Sequence, residues 1–100
     1  MLAKMNNFRA WVSETRADVL FARYEQLLKN SGFTIINDCC KMFSPQGFTA
    51  LFLLSESHFA IHTFPERGKT YIELSSCVDA PFHKFVDAHD FELTTADDGT

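Results

Sequence analysis

His58, His62 and Cys77 are the side chains of this sequence whose types and spacing could do chemistry. A four-residue spacing between histidines could clamp one metal ion on a helix. The segment His58-Phe-Ala-Ile-His-Thr-Phe64, however, is rich in strand formers and runs into Pro65. Along a strand, four residues span roughly 13 Å at about 3.3 Å each, so the two rings share a face but not an ion. No metal is expected. Alternation puts His58, Ala60, His62 and Phe64 on one face of that strand, and Tyr71, Glu73, Ser75 and Cys77 on one face of the next. A hairpin about residues 65–68 would bring a histidine, a carboxylate and a thiol to the same side of a sheet, a set able to move protons. Ordinary sheet residues fit the same pattern, and periodicity leaves both readings open.

The elements that must hold these groups follow from the apolar pattern. Residues 8–13 read as a first strand. Ala17, Leu20, Phe21, Tyr24, Leu27 and Leu28 recur at three- and four-residue steps, one face of an amphipathic helix. Thr15 with Asp18 fits a capping box at its start, and Gly32 fits the left-handed residue that ends it. Residues 33–43 read as strand, 44–47 as a turn, and 48–55 as a nearly all-apolar strand expected to be buried on both faces. After the histidine strand and the turn at 65–68, residues 71–77 form another strand. Asp79, two residues before Pro81, opens a helix over 82–89, and 91–95 reads as a last short strand. The sum is an α+β two-layer sandwich, a mainly antiparallel sheet with two helices on one face.

Composition narrows the classes. One hundred residues, 46% of them hydrophobic, suffice for a single domain over 1–100 but not for a large cofactor-binding sheet or barrel. The net charge of −4 gives no basic footprint for nucleic acid. Six basic and five acidic residues precede His58, against three and eight from there on. Three cysteines without CxxC spacing argue against a disulfide framework or a zinc knuckle. With no run apolar enough for a signal peptide or a membrane span, the expectation is a cytoplasmic, reducing location without membrane partners. Eleven phenylalanines imply either a very aromatic core or rings committed to a ligand.

The run Leu54-Ser-Glu-Ser-His-Phe-Ala-Ile-His-Thr-Phe-Pro-Glu66, with Cys77 twenty residues after Ser57, resembles the self-processing segment of the small prokaryotic S-adenosylmethionine decarboxylases. The resemblance covers residues 32–81. It implies that the Glu56–Ser57 bond breaks itself, leaving a β chain of residues 1–56 and an α chain of 57–100. Ser57 would become a pyruvoyl group, the one cofactor, whose ketone condenses with the substrate amine. On the same resemblance His62 assists processing, Cys77 returns a proton to the substrate carbon, and Thr49 takes the place of a small processing hydroxyl. Glu66 would bond the ribose hydroxyls, and Phe43 and Phe64 would sandwich the adenine. Glu73 and Val78 stand where the family commonly has aspartate and glycine.

The function so implied is decarboxylation of S-adenosylmethionine for spermidine synthesis, by a homodimer with its active site near the subunit interface. A pyruvoyl-dependent decarboxylase of ornithine or arginine is the second reading. An unprocessed, non-catalytic paralogue that regulates a decarboxylase is the third.

Overall fold

The computed structural model describes residues 1–90. Its elements run β1 (Asn6–Val12), α1 (Ala17–Ser31), β2 (Ile35–Met42), β3 (Phe48–Leu54), β4 (Ser57–Phe64), a 3-10 turn (Pro65–Arg67), β5 (Lys69–Ser76) and α2 (Asp79–His89). The five strands form one antiparallel sheet in the order β1-β5-β4-β3-β2. Both helices cover the same face, as an α+β two-layer sandwich requires. The strand read at 91–95 lies outside the described residues.

Alternation along β4 explains the layering. Phe59, Ile61 and Thr63 point under the helices and are buried, while His58, His62 and Phe64 point the other way. Phe59 lies at the centre of the core, its ring 5.0 Å from Tyr24 of α1, 6.0 Å from Phe52 of β3 and 5.6 Å from Phe85 of α2. Phe21 covers Phe52 at 4.9 Å, and Phe8 reaches Phe85 at 6.1 Å, so much of the phenylalanine content is core. Each fully buried ring of this kind contributes roughly 2–3 kcal/mol.

Gly32 ends α1 at φ 105°, where its N–H and that of Phe33 take the Lys29 and Leu28 carbonyls. The start of α1 corrects the expected capping box. Arg16 is the cap residue and has no side-chain cap bond. The Glu14 carboxylate instead accepts from the Thr15 and Arg16 N–H groups at 3.0 and 2.9 Å. Asp79 likewise is the first residue of α2 rather than its cap, and its carboxylate accepts from the Asn6 amide at 2.9 Å. The first strand begins two residues earlier than read, and β5 covers 69–76, so Cys77 falls just past its end.

A further correction concerns β3. It is not buried on both faces: Phe48, Ala50, Phe52 and Leu54 are buried, but Leu51 is 49% and Leu53 55% exposed. They belong to the sheet face that carries no helix among the described residues. Rows across that face join Lys41, Thr49, His62, Tyr71 and Trp11, then Cys39, Leu51, Ala60, Glu73 and Arg9.

Candidate active site

The β3–β4 connection is two residues long, because Leu54 pairs directly with Ser57. A hairpin this tight needs left-handed backbone. Glu56 supplies it at φ 66°, the one non-glycine residue with positive φ among those described. For a residue with a Cβ that conformation costs about 1–2 kcal/mol. The turn is tied down from three sides. The Ser55 N–H donates to the Thr34 carbonyl at 3.1 Å. The Cys77 thiol donates to the Glu56 carbonyl oxygen at 3.0 Å. The Ser57 hydroxyl donates to the Ser76 hydroxyl at 2.7 Å, beneath the sheet. A strained peptide, a donor on its carbonyl and a hydroxyl on the next residue thus meet at one end of β4. Gly32, Phe33, Thr34, Ser55, Glu56 and Val78 line a cleft beside it.

His62 stands elsewhere. It shares a row with Thr49 and Tyr71 on the open face, bonded to the Thr49 hydroxyl through Nδ1 at 3.2 Å and stacked 6.3 Å from the Tyr71 ring. The Tyr71 hydroxyl donates to Glu73 at 2.7 Å. Burial and then that carboxylate push its pKa above the ordinary tyrosine value. Histidine and carboxylate therefore share the open face as alternation predicts. Cys77 does not join them, because β5 ends before it. Ser57 and His62 are five residues apart on one strand, roughly 17 Å, and point to opposite faces.

The residues implied in substrate binding stand at the ends of β2 and β4 and in the turn after β4. Phe43, half exposed, follows β2, with its N–H on the Gly47 carbonyl at 2.8 Å. Phe64 ends β4, 5.8 Å from the Trp11 ring, and Lys69 sits over Trp11 at 4.4 Å. Glu66 is exposed in the 3-10 turn that follows. Sequence reasoning missed Trp11 and Ser76. A signal for Ser76 was present, since a hairpin centred on residues 65–68 places Ser57 opposite Ser76.

The family profile described as S-adenosylmethionine decarboxylase matches residues 15–97. The chain is 52% identical over 46 residues to the S-adenosylmethionine decarboxylase proenzyme of Brevibacillus brevis, covering 46% of this chain and 35% of that one. Against the proenzyme of Prochlorococcus marinus it is 45% identical over 51 residues, 51% of this chain and 41% of the relative. The proenzyme of Archaeoglobus fulgidus is 31% identical over 64 residues, 64% of this chain and 57% of its own length. The chain thus spans well under two thirds of these relatives. Among solved structures, the adenosylmethionine decarboxylase of Aquifex aeolicus superposes with a TM-score of 0.68 at 27% identity, over 90% of this chain and 79% of that one.

Proposed function

This chain belongs to the S-adenosylmethionine decarboxylase family, and on that premise we propose that it is a self-processing decarboxylase of S-adenosylmethionine. It is read as one domain over 1–100, cut at Glu56–Ser57 into a β chain of 1–56 and an α chain of 57–100. The observation that carries this reading is the left-handed Glu56, whose carbonyl oxygen receives the Cys77 thiol.

Self-cleavage needs no outside reagent except water. The Ser57 Oγ adds to the Glu56 carbonyl carbon, the C–N bond breaks, and the hydroxyl proton ends on the Ser57 nitrogen, turning amide into ester. Cys77 stabilises the charge that builds on the carbonyl oxygen, and the strain at Glu56 is relieved as the peptide opens. His62 then takes the Ser57 α-proton. The ester C–O bond breaks, Glu56 keeps the oxygen as its new carboxylate, and water releases ammonia. The residues present fit the pyruvoyl group, since its precursor serine already lies beside a proton donor. That group supplies a ketone that holds the substrate amine and draws off the electron pair left by carbon dioxide. Cys77 returns a proton to the substrate carbon. Glu66 bonds the ribose, and Phe43 and Phe64 hold the adenine, where a sulfonium also gains from ring faces.

Because His62 lies roughly 17 Å from Ser57 on the other face of β4, the reading requires a second copy. A homodimer in which the open sheet face of one copy meets the β3–β4 turn of the other would bring His62, Phe64 and Glu66 of the first to the Ser57 backbone and the exposed Cys77 of the second. The exposed Leu51, Leu53 and Trp11 support this, being apolar area on a face that no helix covers among the described residues. A reducing, cytoplasmic setting keeps Cys77 a thiol. The product would serve as aminopropyl donor for spermidine.

The relatives' names favour the sulfonium substrate over ornithine or arginine, and a processed enzyme over an unprocessed regulator. Release of labelled carbon dioxide decides among them. Turnover of S-adenosylmethionine supports the proposal, whereas turnover of ornithine or arginine alone, or of none of the three, overturns it.

A further inference from the structure

We propose that Ser76 is a positioning residue for self-cleavage, its buried hydroxyl holding both the Ser57 hydroxyl and the Cys77 turn against the Glu56 carbonyl. This rests on the function proposed above and assigns that site a residue the motif does not contain.

Ser76 faces Ser57 directly across the β4–β5 ladder and is 0% exposed. Its hydroxyl makes three contacts. It accepts from the Ser57 hydroxyl at 2.7 Å, accepts from the Val78 N–H at 3.1 Å, and donates to the Val78 carbonyl at 3.2 Å. A hydroxyl has one proton and two acceptor sites. The Ser76 proton is committed to Val78, so toward Ser57 it only accepts. Ser57 is therefore the donor in the pair, its proton turned away from the scissile peptide and its lone pairs left for attack. Accepting that proton also makes the Ser57 oxygen more electron-rich as it adds to carbon.

The two bonds to Val78 shape the other half of the site. They close a short turn with Cys77 at its apex, and the Cys77 thiol reaches the Glu56 carbonyl at 3.0 Å. One side chain thus sets the nucleophile and the carbonyl donor together. As Ser57 adds to the carbonyl carbon, its proton leaves Ser76 and is carried by a water molecule to the Ser57 nitrogen, so Ser76 is unchanged at the end.

The test follows self-cleavage in wild type, Ser76→Ala and Ser76→Thr, with and without hydroxylamine, which cuts esters but not amides. Ser76→Ala should slow cleavage roughly 10- to 100-fold, the effect of misplacing reacting groups. Ser76→Thr, which keeps the hydroxyl, should restore most of the rate. Hydroxylamine should leave Ser76→Ala uncut, because its block precedes the ester, while His62→Ala should be cut. Melting of the same variants in a Ser57→Ala background separates positioning from simple destabilisation. If Ser76→Ala fails to fold, Ser76→Cys, similar in size but a weaker acceptor, takes its place and should also be slow. Wild-type cleavage rates in Ser76→Ala, or ester accumulating in it, overturn this inference alone. A wild-type chain that never cleaves overturns the proposed function with it.

Discussion

The Cys77 thiol lies 3.0 Å from the Glu56 carbonyl oxygen, joining the end of β5 to the tight turn between β3 and β4. In the proposed self-cleavage, negative charge would gather on that oxygen as Ser57 attacks. Removing the donor with Cys77→Ala should slow self-cleavage about 100-fold, in the range found for losing one such hydrogen bond. Cys77→Ser, which keeps a donor, should fall in between. A time course on denaturing gels reads both, and equal rates for Cys77→Ala and wild type would remove the thiol from this role.

Glu56 holds its left-handed conformation at a cost a glycine would not bear. In a Ser57→Ala background, where nothing can cleave, Glu56→Gly should raise stability by about 0.5–1 kcal/mol, because glycine's greater unfolded-state freedom offsets part of the relief. Urea melts measure this. A loss of stability would mean that the turn is not strained at Glu56.

The separation of Ser57 from His62 along β4 makes a trans test available. Ser57→Ala and His62→Ala proteins should each remain uncut alone. Co-expressed, they should yield mixed dimers in which the His62→Ala copy, still carrying Ser57, is cleaved using the His62 of its partner. Cleavage that never appears in the mixture would contradict a site shared between copies.

His89 is 1% exposed, hydrogen-bonded to the Tyr24 hydroxyl at 2.9 Å, and burial lowers its pKa from 6.5 to about 4, with Asp90 opposing. The folded state thus binds fewer protons than the unfolded chain between those values, so stability rises with pH there. The contribution is complete above about pH 6.5 and lost as pH falls toward 4, on the order of 3 kcal/mol in all. Glu14, lowered to about 2 chiefly by its bond to the Arg16 side chain, titrates below that window. Melting of wild type and His89→Gln at pH 7 and pH 5 should show the acid loss only in wild type.

Much of this molecule was legible in its sequence for identifiable reasons. Helical period found the buried Leu20, Tyr24, Leu27 and Leu28 of α1, and Gly32 marked its end. Alternation found the face shared by His62, Tyr71 and Glu73, because strand parity survives small errors in the ends. Leu51 and Leu53 misled, since an apolar run states a preference for burial but not what will cover it. Cys77 misled for another reason: parity no longer applies one residue past a strand, where a turn about Ser76 aims the thiol at Glu56. The strain at Glu56 has no signature in residue type. It follows from a two-residue loop, and loop length depends on where both strands stop.

Self-cleavage between Glu56 and Ser57 is the claim on which the rest depends, and an intact-mass spectrum of the purified, incubated chain tests it most directly. Self-cleavage there gives two fragments, residues 1–56 and 57–100. The second should be lighter, by the mass of one ammonia, than hydrolysis of that bond would leave it. An uncut chain, or a second fragment that still begins with serine, would contradict it.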